Sequence, residues 1–112
     1  MRILGFSKKW GKLQQPEFTT FRFERKDKDW GVNEVVQIVY KPRSKEREVL
    51  GMAKIVGRKS KHIPVDVAEQ EAIEDGFPNC FQMWLWFRET YGRRKMYQPM
   101  NKLTLVWVNK ND

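Results

Sequence analysis

The hydrophobic spacing changes period twice along this chain, and those two changes constrain its fold more than any single motif does. Up to Gly57 the apolar residues fall in short, strand-length runs, richest in β-branched residues over "EVVQIVY" (Glu34–Tyr40). Between Asp66 and Gly92 they recur every three or four residues, as on the buried face of a helix. At "KLTLVWV" (Lys102–Val108) the strand pattern returns. Within this frame "RILGF" (Arg2–Phe6), Phe18–Arg25, Glu34–Lys41, Glu48–Gly57 and Lys102–Val108 are predicted as strands. A short helix is expected from "SKKWGKLQ", with Ser7 as N-cap and Pro16 closing the segment. Two further helices are expected. One opens at Asp66 and stops at Gly76; the other opens at Asn79, has Gln82 at the capping-box position, and stops at Gly92. Regular βαβ units are absent, so a doubly wound sheet is not expected. The order fits an α+β, mainly β fold: a small mixed or antiparallel sheet curled into a barrel, with two to three helices flanking a cleft. One domain over residues 1–112 is expected.

Strand alternation assigns sides. In "EFTTFRFER", Thr19, Phe21 and Phe23 point one way, while Phe18, Thr20 and Arg22 point the other. Phe21 and Phe23 are predicted core, which leaves Thr20 and Arg22 as neighbours on the opposite face. Gly51 and Ala53 leave room on the third long strand for a close neighbour.

Charge is unevenly spread. The net charge is +8 over 112 residues. Residues 66–90 nevertheless hold six acidic side chains against Arg88 alone, and residues 41–62 hold eight Lys or Arg against two Glu. Such segregation favours a polyanionic partner, although a basic surface also serves solubility alone. One cysteine, Cys80, excludes an intrachain disulfide and a cysteine-zinc cluster. His62 lacks companion ligands, and neither "GVNEVV" nor "GRKSK" has P-loop spacing, so neither a metal nor a cofactor is expected. Apolar runs are too short for a signal core or a membrane span, and the chain is expected to be soluble and cytoplasmic, with no membrane partner.

The segments "WGKLQQPEFTTFRFERKDKDWGVNEVVQIVY", "LGMAKIV", "AIEDGFPN" and "LTLVWV", in that order between Ile3 and Val108, resemble the ASCH domain of the PUA-like superfold. The resemblance implies a small β-barrel with a cleft under a helix, and RNA as ligand. It also implies a second class of activity, since some relatives are small hydrolases: one branch deacylates cytidine with a lysine, a threonine and an acidic residue, and ribonuclease activity is associated with others. Thr20 falls at the nucleophile position, Arg22 at the arginine that ends the motif, and Asp75 at the acidic position. The family's lysine position holds Glu17, so Lys8, Lys9 or Lys12 would have to supply the amine.

The residues support two uses of this face. As a binding floor, Arg22 can fork onto a phosphate while Thr20 donates to an oxygen. Lys8, Lys9, Arg25, Lys41, Arg43, Arg58 and Lys59 are the candidate phosphate contacts, and Trp10 the candidate stacking plate. As a metal-independent hydrolase, Thr20 would be the nucleophile and Asp75 its acidic partner. Each assignment has a plainer alternative: ordinary strand threonines, a solvated basic rim, core aromatics at Trp30 and Tyr40, and a solvated acidic face over Glu69, Glu71, Glu74 and Asp75. The expected function is RNA binding in a basic cleft, with the hydrolase as the alternative.

Overall fold

The computed structural model describes residues 1–63 and 65–111 of the chain. Among them are five strands: β1 (Ile3–Phe6), β2 (Glu17–Phe23), β3 (Val35–Tyr40), β4 (Glu48–Lys61) and β5 (Met100–Lys110). They form one mixed sheet in the order β1-β3-β4-β5-β2. Only the β1–β3 pair is parallel. The last strand in sequence therefore lies inside the sheet, and β1 and β2 are its edges. The sheet curls until those edges approach, with the rings of Phe6 and Phe18 6.3 Å apart, giving a half-barrel in which β1 and β2 are not paired with each other.

Two helices, α1 (Glu69–Asp75) and α2 (Cys80–Tyr91), and two 3-10 turns, Gly11–Gln14 and Lys95–Tyr97, complete the described fold. Inside the curl lie Leu4, Val36, Ile38, Ala53, Ile55, Leu103 and Leu105, all fully buried, with Leu13 and Trp30 closing the ends. A second core forms where the helices cover one sheet face, around Phe21, Ala72, Phe77, Met83, Phe87 and Met100. The alternation of β2 places it between the two cores: Phe18 packs inside the curl and Phe21 against the helices.

Local chemistry accounts for the helix ends. The Asn79 side chain accepts from the Gln82 amide at 2.8 Å, which caps α2. Gly76 ends α1 with φ of +111°, a left-handed conformation that favours glycine. Four expectations are corrected. The segment after Ser7 forms only a single 3-10 turn that opens after Trp10 without a side-chain cap, because Gly11 and Pro16 leave too few residues for a stable α-helical nucleus. Helix α1 starts after Ala68, whose amide bonds the Glu71 carboxylate at 3.1 Å; Asp66 instead accepts from the His62 amide at 3.0 Å. Strand β4 continues through Lys61, so Arg58 and Lys59 sit on a strand paired with β5 rather than in a loop. The acidic helix is not a uniformly solvated face either. Glu71 bonds Lys102 at 2.6 Å and Lys61 at 3.3 Å, which holds its carboxyl down to about 2 despite the opposing desolvation.

The space at Gly51 is taken by β5. Gly51 has φ of +145°, and a Cβ there would overlap the Asn109 carbonyl oxygen and lie 2.9 Å from the Lys110 Cα. Neither atom can swing aside, because both belong to backbone. Gly51→Ala should destabilise the protein by about 3 kcal/mol or more, from backbone strain plus this overlap. A urea titration that leaves the unfolding midpoint unchanged would contradict the packing described.

Candidate functional site

The seam between the unpaired edges is a pocket. It measures about 240 Å³ and is lined by β1 and its exit (Gly5, Phe6, Ser7), the following turn (Trp10, Lys12) and β2 (Thr20, Phe21, Arg22). The end of α1 (Asp75, Phe77) and the outer half of α2 (Trp86, Phe87, Thr90, Tyr91) complete it. Strand alternation turns Thr20 and Arg22 inward together, and the Arg22 Nε donates to the Thr20 hydroxyl at 3.1 Å. The two residues therefore share a side, as predicted.

Across the pocket, Lys12 reaches Asp75. Their charged atoms are 3.2 Å apart, with the side chains only 6% and 3% exposed. Thr19, on the other face of β2, donates its hydroxyl to Asp75 Oδ1 at 2.8 Å. Burial dominates both ionisations. It lowers Lys12 from the ordinary 10.5 to about 8 although Asp75 pulls the other way, and it raises Asp75 although Lys12 and Thr19 oppose the rise. The site thus holds a lysine that gives up its proton far more readily than a surface lysine does.

Arg22 is the second unusual cation. Burial lowers its pKa as well, against smaller opposing contributions from Tyr91 and Asp75. Its guanidinium carbon lies 4.7 Å from the Phe6 ring centroid. Asp75 is already bonded to Lys12 and Thr19, and among the described residues Arg22 makes no ion pair. It stands at a junction, because Arg22, Gly5, Phe6, Ser7 and Tyr91 also line a wider groove of about 960 Å³. That groove adds Arg25, Lys41, Arg43 and Arg47, and no acidic side chain lines it.

The predicted cations therefore separate. Arg22, Arg25, Lys41 and Arg43 come together, joined by Arg47, which the pattern of the sequence did not single out. Arg25 and Lys41 also bond Asp27 and Glu46 on exposed loops. The remaining four lie outside the groove. Lys8 lies over the Trp10 ring at 4.4 Å; Lys9 is bonded to Glu48 at 2.7 Å; Arg58 donates to the Trp30 carbonyl and approaches Asp29 at 3.5 Å; Lys59 pairs in register with Lys102. Trp10 is half-buried against Phe77 and Trp86, at 5.1 and 5.3 Å, so its ring forms a wall of the pocket. Trp30 is a core residue. Glu17 is exposed on the strand face opposite Thr20. Lys12 was one of three lysines offered by the preceding segment, and only the turn at Gly11–Gln14 selects it.

Among the described residues no cluster of His, Cys, Asp and Glu is placed to hold a metal ion, and no helix is long and apolar enough to cross a membrane. The site can offer a hydrogen-bonding floor, aromatic walls, an amine near neutrality and an anion-receiving mouth. No family model, curated protein or solved structure matches the chain.

The sign of the burial effect on stability is the same for both members of the pair. Lys12 is lowered and Asp75 raised, so the folded state resists each charge more than the unfolded chain does. Between pH 8 and 10.5 the unfolded chain holds the extra lysine proton, so the Lys12 contribution to stability improves as pH rises across that window. Lys12→Met alone should lose about 3 kcal/mol by stranding Asp75, whereas Lys12→Met with Asp75→Asn should recover most of it. Equal losses in the single and double variants on urea unfolding would contradict this account.

Proposed function

We propose that this protein is an RNA-binding module, an ASCH-type domain on a PUA-like barrel, that takes an unpaired base into the seam pocket and the flanking phosphates into the basic groove. The observation that carries this reading is Arg22. It is a desolvated guanidinium with no carboxylate of its own, placed where a small aromatic-walled pocket opens into a groove lined by five cations and no acids. A half-buried, partly desolvated cation without a counter-charge is costly, and an anionic ligand at that point relieves the cost. Trp10, Phe77 and Trp86 offer ring faces for a base. Arg25, Lys41, Arg43 and Arg47 supply phosphate contacts along the mouth.

Affinity for short single-stranded RNA should fall steeply with salt, and the logarithmic slope should shrink by about 0.7 for each phosphate contact removed. Arg43→Ala and Arg47→Ala should each reduce that slope; Arg58→Ala and Lys59→Ala should not. Arg22→Ala should weaken binding by roughly tenfold or more, as expected for a charge-assisted contact. Binding that ignores both salt and Arg22 would sink the proposal.

A second reading, a small metal-independent hydrolase of an acylated nucleobase or of RNA, is favoured by the depressed Lys12 amine lining the same pocket as Thr20. In its deacylating form, neutral Lys12 takes the Thr20 proton and the hydroxyl oxygen attacks the acyl carbonyl. Arg22 steadies the oxyanion. The acyl group passes to Thr20 as the amine leaves with the proton, and water then releases the acid. Asp75 holds Lys12 in place. The rate should rise with pH to a midpoint near 8, as Lys12 deprotonates. Thr20→Ala should abolish turnover with binding retained; an unchanged rate in that variant would eliminate this chemistry.

A further inference from the structure

A second pocket, of about 590 Å³, lies on another stripe of α2 and shares no lining residue with the seam pocket. Trp84 and Arg88, one helical turn apart, form one wall, and the Arg88 guanidinium lies 5.3 Å from the Trp84 ring centroid. The opposite wall comes from the turn Lys95–Tyr97 and the residues before it, where Arg93, Met96 and Tyr97 face the same space. Ile63 lines the floor, and Asp66 stands at the rim.

Tyr97 is 84% exposed, yet it is positioned by its neighbours. Met96 packs against the helix-covered core, and the turn is closed by the Gln98 amide on the Lys95 carbonyl at 3.0 Å. A ring held outward over a cavity leaves its apolar area in water until something planar covers it. The charges narrow what that is. Among the described residues, neither Arg88 nor Arg93 forms an ion pair, so the pocket offers two guanidinium groups to an anion. Asp66 is its carboxylate, and it accepts from the His62 amide with Oδ2 alone, so it can take an N–H donor from a ligand. A ligand with a flat ring, N–H donors and a negatively charged tail answers the open ring, the rim carboxylate and the two guanidinium groups together. An aromatic carboxylate without donors does not, and an aliphatic anion leaves the rings uncovered. The volume suits a small ligand, within the usual range of about 300 to 1,000 Å³.

We infer that this pocket is a second nucleotide site, which takes the base of a nucleoside monophosphate against Tyr97, beside a Trp84 ring already faced by Phe81 and Arg88, and its phosphate on Arg88 and Arg93. It uses none of the residues of the seam, so it stands whether or not the seam binds RNA. The unit bound is the same whether it arrives as a free nucleotide or as one residue of a strand.

The test is a nucleotide titration followed by methyl NMR on the whole protein. Adenosine monophosphate should shift the Met96 methyl signal saturably, and adenosine or inorganic phosphate alone should do so at least tenfold more weakly. Tyr97→Ala with Arg93→Ala, both surface positions, should weaken the nucleotide by roughly tenfold or more, while Arg22→Ala should leave this signal intact. No shift with the nucleotide, or an equal shift in the doubly substituted protein, would overturn the inference. An oligoadenylate separates the two sources. If its affinity also falls on Tyr97→Ala, the pocket takes a strand; if only the mononucleotide suffers, it takes the free ligand. RNA binding lost on Arg22→Ala but retained on Tyr97→Ala concerns the seam alone.

Discussion

Curling brings the two edges of the sheet, β1 and β2, face to face without letting their backbones pair, and the site exists because side chains rather than hydrogen bonds fill that gap. A closed ladder would have zipped the barrel and left no entrance. Phe6 and Phe18 approach across the gap, and Arg22 lies over the Phe6 ring. The aromatic face gives the guanidinium a favourable seat that no carboxylate supplies. The half-barrel thus keeps a polar, cation-bearing slot beside a fully apolar core.

The helical layer completes the slot through one buried contact. Lys12 leaves the turn after β1, Asp75 leaves the end of α1, and they meet over β2 with Thr19 bonded to the same carboxylate. Apolar packing alone could join helix to sheet at that point, and in general it would do so at lower cost than a desolvated ion pair. The pair forms part of a pocket wall and holds a lysine brought to about 8, a perturbation of the kind that clusters at functional sites and also occurs in structural ion pairs. Elsewhere the acidic helix is anchored more conventionally, by Glu71 on Lys61 and Lys102 at the partly solvated margin of the sheet. Those contacts neutralise basic residues of β4 and β5, while Arg22, Arg43 and Arg47 are left without ion pairs among the described residues. The charge segregation of the chain is therefore sharpened in space: part of the positive charge is consumed by structure, and five cations gather at the mouth of the seam.

Much of the fold was legible. The sides of β2 followed from alternation over Phe18–Phe23, because a strand with a core on each face must send successive rings opposite ways. Asn79, Gly76 and Gly92 marked helix ends through interactions that need only neighbouring residues. The departures came where a local signal competed with a distant partner. Asp66 could cap a helix in isolation, but Glu71 bonds the Ala68 amide and moves the start of α1. The run "RKSK" reads as a solvated loop until β5 supplies a ladder for it.

For the site, sequence alone established the pairing of Thr20 with Arg22 on one face, the presence of an acid at residue 75, and an excess of positive charge in the loops. These depend on the two-residue period of a strand and on composition, both of which are local. Tertiary structure alone decided that Lys12 rather than Lys8 or Lys9 meets Asp75, that Arg43 and Arg47 face the groove while Arg58 and Lys59 do not, and that the gap between β1 and β2 stays open. Each of these turns on contacts between segments far apart in the chain, and on desolvation, which no residue carries until the others surround it.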